Sequence, residues 1–423
     1  MQIIERELFK EIKKHFLRKE ITFIIGPRQV GKTTLLNLIR EYLIKEKKIP
    51  QERIFFFNLD RIKDIEFFES QEEVIKFLKT KRDKTYLFID EAQKIKEAGR
   101  FIKGIYDLNL NLKMILSGSS SLELKSKFQE SLTGRKQIFY LWPLSFFEFL
   151  KYKEPVLFNL INQKGGISQY EKQTIFSLLE DFIIYGGYPN IVKENNLNRK
   201  KDLLEEIYNS YIEKDIINFL RIKKPLVLGK LIKLLAYQTG QLVNIDELAN
   251  SLNVERKTIE HYLDILKETF ILKEIYPFFK NPRKELIKTP KIFFWDNGFL
   301  NFSLDNFEKF SERPDKGQLL ENFVFTELAK NKEFLNKIYY WRTLHQAEVD
   351  FVIEKRLKPW PIEVKTTLRE IKIPSGLKNF VENYNPLQSW IVNTTIENTI
   401  KFNKTKIDFI LPFEILKLKK WKL

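Results

Sequence analysis

The chain has 423 residues, 43% of them apolar and 30% charged, which is the usage of a folded protein long enough for two or three domains. Its 73 Lys and Arg outweigh 56 Asp and Glu, and the net charge of +17 favours a polyanionic partner, nucleic acid before membrane. There is no cysteine, so disulfides, thiol catalysis and Cys-ligated zinc are excluded, and three histidines (15, 261 and 345) are too few for a His-rich metal site.

No apolar run reaches the roughly 18–20 residues that cross a bilayer, and the opening MQIIERELFK lacks a signal-peptide core. The expectation is a soluble, cytoplasmic protein. Along the first 150 residues, short apolar strands alternate with amphipathic helices. The strands are expected at Ile21–Ile25, Ile54–Phe57, Tyr86–Ile89, Met114–Leu116 and Ile138–Leu141, which implies βαβ units and a mostly parallel sheet. The stretch from Pro155 to Asn190, ending YGGYPN, is the expected exit from that domain. From Asp202 to Phe279 the pattern is helical. Within it, two short helices joined by a tight turn are expected, with Asn244 capping the first and Ile259, Tyr262, Leu263 and Leu266 facing inward from the second. The extended segment ILKEIYPFF follows, giving the outline of a winged helix. Beyond the polar stretch Ser311–Lys316, the order is a helix at Gly317–Lys330, strands at Ile338–Trp341, Val349–Ile353 and Pro361–Lys365, a helix at Leu377–Glu382 and a strand at Trp390–Val392. The expected boundaries are therefore 1–154 for a nucleotide-binding domain, 155–225 for a helical linker or lid, 226–300 for the winged-helix-like domain and 311–423 for an α-β-β-β-α-β domain.

Gly26, Pro27, Arg28, Gln29, Val30, Gly31, Lys32 and Thr33 fit GxxxxGK[ST] at every fixed position, after an apolar strand and at the start of a helix. Glycines let the backbone amides curl toward phosphates, and the positive end of the helix dipole adds to the attraction. Lys32 is expected to reach the β- and γ-phosphates, with Thr33 on Mg²⁺ and Thr34 completing the nucleotide-binding set. Tyr86–Glu91 is an apolar strand ending in two carboxylates. Asp90 would hold the Mg²⁺ and Glu91 would polarise the attacking water. Ser117, with Ser119 second, is placed where a hydroxyl would sense the γ-phosphate, although an ordinary serine-rich turn accounts for the same pattern. Arg135 would stabilise transition-state charge in its own subunit or a neighbour's, or serve only as a surface residue.

The segments GPRQVGKTTLL, FIDEAQK, ILSGSSS, SLTGR, PLSFFEFL and YGGYP resemble, in order, a family of bacterial and archaeal AAA-type ATP-binding proteins. The resemblance spans nearly the whole chain and implies an α/β, AAA-type P-loop ATPase domain with a parallel sheet. It also implies a C-terminal domain related to restriction-endonuclease-like folds.

Asp350 in EVDFV and Glu363-Val364-Lys365 in PIEVK are similar to the PD-(D/E)xK nucleases. Strand alternation puts Glu363 and Lys365 on one face, and Asp350 beside them would make an oxygen cluster for Mg²⁺ or Mn²⁺. Such a metal activates water for phosphodiester cleavage while Lys365 positions or deprotonates the nucleophile. The competing reading is a same-face ion pair between Glu363 and Lys365. The superfamily's further acid from the preceding helix corresponds to Glu321. Glu327 lies ~120° around that helix and is not expected to share the site. On the second helix of the winged-helix-like domain, Arg256, Lys257 and Thr258 would donate to DNA phosphates or bases, with His261 one turn later. The tail LKLKKWKL and the runs Arg221–Lys224 and Lys280–Lys291 would thicken the basic field. The functional expectation is an ATP- and Mg²⁺-dependent ATPase acting on duplex or branched DNA, with a nuclease-like domain and with oligomerisation left open. The alternative is an ATP-driven switch that binds DNA or a protein without cutting. Nothing resembling a substrate-threading loop favours a protein-remodelling ATPase.

Overall fold

The computed structural model describes residues 3–119, 132–162, 167–212, 222, 224–279, 289–331, 337–355 and 358–415. Of the basic stretches, the tail LKLKKWKL, residues 280–288, Arg221 and Lys223 lie outside the described residues. The chain divides into two compact units, one of residues 1–143 with Glu268–Phe270, the other comprising the rest.

In the first unit, β1 (Ile21–Ile25), β2 (Ile54–Asn58), β3 (Thr85–Asp90), β4 (Leu112–Gly118) and β5 (Lys136–Tyr140) form one sheet in the order β2-β3-β4-β1-β5. Every pairing is parallel, with Phe23 opposite Leu116 on one side and Ile138 on the other. Parallel strands are covered on both faces, and this is why ITFII and TYLFID are runs rather than alternations and are buried throughout. Helices Lys32–Lys45 and Ala98–Asp107 carry the crossovers after β1 and β3. At the foot of the sheet, the buried Lys113 on β4 donates to the carbonyls of His15, Arg18 and Glu20, satisfying the end of helix Glu7–His15.

The second unit begins one residue before Ser145, whose hydroxyl accepts from the Glu148 amide while the Glu148 carboxylate accepts from the Ser145 amide. This capping box starts helix Phe146–Lys153, and the packing of Phe146 and Phe149 on Phe182, and of Phe146 on Phe323, explains why the motif from Leu144 onward belongs to this unit. YGGYP is a close crossing. Gly186 ends helix Gln169–Tyr185 at φ 79°, where a Cβ would stand 2.1 Å from Asp296 Oδ1, and a Cβ on Gly187 would stand 2.4 Å from the Leu144 carbonyl oxygen. Asp296 accepts from the amides of Gly187 at 2.8 Å and Phe299 at 3.1 Å, thereby capping helix Asn297–Leu304.

Helices Pro225–Tyr237, Ile245–Leu252 and Arg256–Glu268 follow, and Asn244 caps the second through the Asp246 and Glu247 amides. The expected extended segment is β6 (Leu272–Ile275), which pairs antiparallel with β7 (Lys291–Phe294), and Leu242 bridges to Lys291 on the other side of β7. The helix expected at Gly317–Lys330 spans Lys316–Ala329. Beyond it come β8 (Ile338–Arg342), β9 (Glu348–Lys355), β10 (Lys358–Val364), helix Ser375–Tyr384, β11 (Gln388–Val392), β12 (Asn398–Phe402) and β13 (Thr405–Ile410). Their sheet has the order β12-β13-β11-β10-β9-β8, with β10, β11 and β13 mutually parallel and the outer strands antiparallel. Trp341, Val352, Phe380, Ile391 and Phe409 centre the core between this sheet and helix Ser375–Tyr384.

Candidate functional site

The GPRQVGKT loop leaves β1 at the carboxyl end of the parallel sheet. Gln29 at φ 59° and Gly31 at φ 94° turn the backbone back on itself before the helix. Gly26 passes so close to the end of β5 that a Cβ would lie 2.0 Å from the Leu141 carbonyl oxygen. Arg6 fastens the loop from outside, donating to the carbonyls of Val30 at 2.9 Å and Trp142 at 2.6 Å. No sequence pattern pointed to Arg6, because it lies far from the loop along the chain. Pro27 and Val30 are buried, Arg28 is half-buried, and Gln29, Thr33 and Thr34 are exposed.

Lys32 is only 5% exposed, and its ammonium donates to the carbonyls of Gly26 at 3.1 Å and Pro27 at 2.9 Å, with Glu91 Oε1 at 4.0 Å. The Thr33 hydroxyl donates to Asp90 Oδ2 at 2.5 Å, and the Ser117 hydroxyl donates to Asp90 Oδ1. Ser117 also accepts from the Glu91 amide at 3.2 Å. Gln93 donates to Glu91 Oε2 at 2.6 Å and to Ser119 Oγ at 3.1 Å. Burial raises the Asp90 pKa above the ordinary carboxylate value, against the pull of its bonds from Ser117 and Thr33 and the charge of Lys32. A buried carboxylate under that strain, flanked by a hydroxyl and an ammonium, suits a cation bound beside phosphate. Gln93 was missed because its only local signal is a place two residues after Glu91 in a short 3₁₀ turn.

Arg135 lies apart from this group. It precedes β5, its carbonyl accepts from Ile21, and its Nε donates to Asp107 at 2.9 Å. It therefore stands at the entering end of the sheet, about five strand residues or roughly 16 Å from the loop.

Residues 18–150 match the family model of an AAA domain. This stretch is similar to AAA domains, with its phosphate loop at residues 26–33. Residues 177–309 and 316–416 match two models described as domains of unknown function, DUF8612 and DUF4143. The chain is 28% identical over 418 residues to an uncharacterized protein of Methanocaldococcus jannaschii, covering 96% of this chain and 88% of that one. It is 28% identical over 349 residues to an uncharacterized protein of Haemophilus influenzae, covering 79% and 80%. Among solved structures it is similar to Aeropyrum pernix ORC1 in complex with DNA, at 11% identity and a TM-score of 0.32, over 72% of this chain and 93% of that one. A Thermotoga maritima RuvB mutant aligns at 18% identity and a TM-score of 0.33, over 64% and 90%.

Outside the AAA domain, the expected acids do come together. Asp350 on β9 accepts from the Val364 amide at 2.7 Å, Glu363 Oε1 accepts from Lys365 at 2.6 Å, and Glu321 reaches the same cluster from helix Lys316–Ala329. Glu363 is 4% exposed, and its Oε2 has no hydrogen-bond partner among the described residues. Glu321 and Glu363 are raised to about 8, chiefly by burial and also by the Asp350 charge, against the pull of Lys291 on Glu321 and of Lys365 on Glu363. Two members were not foreseen. Lys291 of β7 lies between Glu321 Oε1, at 3.4 Å, and Glu348 Oε1, which it contacts directly. Burial works against its charge, but Glu321, Asp350 and Glu348 overturn that and raise its pKa. Glu327 stays out of the cluster and accepts instead from the Phe146 amide at 3.0 Å. No group of three or more ligating side chains among the described residues is arranged to hold a metal ion.

On helix Arg256–Glu268, Lys257 and His261 are exposed and Thr258 is half-buried. Arg256 is already engaged, donating to Asp246 at 2.6 Å and Glu260 at 2.8 Å. No helix among the described residues is long and apolar enough to cross a membrane.

Proposed function

We propose that the protein is an Mg²⁺-dependent ATPase that acts on DNA through a winged-helix-like module and a nuclease-like C-terminal domain. The ATPase reading rests on one observation: Lys32, Thr33, Asp90, Glu91 and Ser117 converge at the carboxyl end of a single parallel sheet. The loop amides and Lys32 hold the phosphates, and Glu91, oriented by Gln93, takes the proton of the attacking water. Mg²⁺ would be held by Thr33 and Asp90 and would neutralise charge on the phosphates. Ser117, bonded both to Asp90 and to the Glu91 amide, ties the cation-holding carboxylate to the base and senses the γ-phosphate between them. Arg135, at the far end of the sheet and paired with Asp107, is best read as a surface residue with no part in this site.

The DNA reading is supported by the net charge of +17, by exposed Lys257 and His261 and by the run of three helices followed by paired β6 and β7 with a bridge to Leu242. The α-β-β-β-α-β order, with β10 parallel to β11, supports a nuclease-like fold. Its acids, among the described residues, do not fit a metal ion, and nothing in their arrangement supports cleavage. A buried lysine among those acids favours the second reading, an ATP-driven switch that grips DNA without cutting.

The deciding experiment measures ATP hydrolysis with and without DNA, alongside cleavage of duplex, single-stranded and four-way-junction DNA in Mg²⁺ and Mn²⁺. Lys32→Ala is expected to lose turnover, and unchanged hydrolysis would reject the phosphate loop. Cleavage lost in Asp350→Ala would establish a nuclease. DNA-stimulated hydrolysis without cleavage would establish the switch. Hydrolysis indifferent to DNA would point to a protein partner.

A further inference from the structure

Arg6 stands outside the phosphate loop and holds it at two places. One guanidinium nitrogen donates to the Val30 carbonyl at 2.9 Å and another to the Trp142 carbonyl at 2.6 Å. The first acceptor lies inside GPRQVGKT, and the second lies just beyond β5, next to the Leu141 carbonyl that crowds Gly26. One planar cation thus ties the late part of the loop to the chain beside its start, through charge-assisted bonds.

The position of the Val30 bond decides what it can do. In a trans peptide the carbonyl and the following N–H point in opposite directions, and there is no cis peptide among the described residues. Holding the Val30 oxygen therefore fixes the Gly31 N–H on the side away from Arg6. Gln29 at φ 59° and Gly31 at φ 94° flank Val30, and Gln29 is in a conformation that a residue with a Cβ seldom keeps unless its surroundings impose it.

Arg6 is itself firmly held. It precedes helix Glu7–His15, whose far end is satisfied by Lys113 at the foot of the sheet. Phe9 and Phe16 pack on Tyr42 of helix Lys32–Lys45, with ring centroids 5.7 and 6.0 Å apart, and Ile12 is fully buried. This helix of nine residues is a strut about 14 Å long, running from the entering end of the sheet to the phosphate loop.

We propose that Arg6 is a positioning residue of the nucleotide site, holding the loop in its turn and the Gly31 amide presented before nucleotide arrives. The proposal rests on the ATPase reading of that loop and adds a residue that the loop motif does not contain. Arg6 acts through the backbone that it holds, so the loop is ordered on folding rather than on binding.

The test compares wild type, Arg6→Ala and Lys32→Ala by titration with fluorescent ADP and ATP analogues and by steady-state ATP hydrolysis. With the loop of Arg6→Ala competent in about one molecule in ten, both nucleotides should bind about tenfold more weakly. KM should rise with the dissociation constants while kcat changes by less than about twofold, because bound nucleotide restores the loop. A merely structural role would lower the fraction of active protein instead. Reduced kcat and fewer binding sites at unchanged affinity would therefore overturn the proposal. Wild-type affinity in Arg6→Ala, with binding lost in Lys32→Ala, would overturn it while leaving the ATPase reading intact. A wild type that binds neither nucleotide would overturn both. Should Arg6→Ala not fold by circular dichroism, Arg6→Lys keeps the charge without the planar fork and carries the same comparison.

Discussion

Replacing Glu363 with Gln tests the electrostatics of the acid cluster directly. In the wild type, burial and the Asp350 charge push this carboxyl from 4.5 to about 8. A folded-state pKa above the unfolded value means that the native state binds the extra proton between those two values. Stability is then fully present below about pH 4.5 and is lost as pH rises through about 8. At roughly 1.4 kcal/mol per pKa unit, the ceiling for one such carboxyl is about 5 kcal/mol, and relaxation around a partly ionised pair brings the expected loss to roughly 2–4 kcal/mol. Gln has nearly the same shape and no proton to lose, so Glu363→Gln should hold its stability over this range while the wild type falls. The assay is hydrogen exchange of β10 amides, Val364 in particular, from pH 5 to 8.5 with intrinsic rates divided out, which reports this sheet rather than the whole chain. Parallel pH profiles for the two proteins would refute the reasoning and show Glu363 ionised throughout, paired with Lys365.

Gln93→Ala should lower kcat about tenfold with little change in KM, because Glu91 loses the amide that orients it while the phosphate contacts remain; a rise in KM at constant kcat would assign Gln93 to binding. Gly187→Ala must push against the Leu144 carbonyl oxygen at 2.4 Å and should cost about 1–3 kcal/mol in urea denaturation, and a neutral result would mean that the YGGYP crossing is loose. Lys257→Ala should weaken DNA binding and reduce the slope of log affinity against log salt by about one, whereas Arg256→Ala should matter less because Asp246 and Glu260 already hold that guanidinium. Equal losses from both substitutions, measured by fluorescence anisotropy at several salt concentrations, would show that Arg256 leaves its carboxylates for the phosphates.

What the sequence disclosed was what lies close along the chain. The loop from Gly26 to Thr33 is contiguous, and the buried strands of the first sheet are uninterrupted apolar runs, so both are visible without tertiary information. Glu321 was separable from Glu327 because helical periodicity alone sends them to different faces, one to Lys291 and the other to the Phe146 amide. Lys291 was hidden for the opposite reason. It ends a basic stretch that looks like solvated surface, and only the pairing of β7 with β6 and Leu242 carries it to acids contributed by another part of the chain. Glu348 was overshadowed by Asp350 in EVDFV, since nothing local marks it as the lysine's partner. Arg135 showed the limit of strand prediction: finding β5 does not reveal which end of the sheet a neighbouring side chain occupies. β12 escaped because NTIKF is a short, mostly exposed edge strand, and β13, although largely buried between β12 and β11, because Thr405, Lys406 and Asp408 break up its apolar residues.

Lys291 and its acids also make the chain less modular than its sequence divisions suggest. A fragment starting at residue 311 or 316 would retain Glu321, Glu348, Asp350 and Glu363 but leave their lysine behind, while the amino-terminal remainder would expose a β7 ammonium with no carboxylate opposite. Neither half keeps the chemistry that it has in the intact protein. A stability measured on the isolated C-terminal piece would belong to the cut rather than to the molecule, and substitutions at position 291 and in the acid set should accompany one another wherever the two stretches are inherited together.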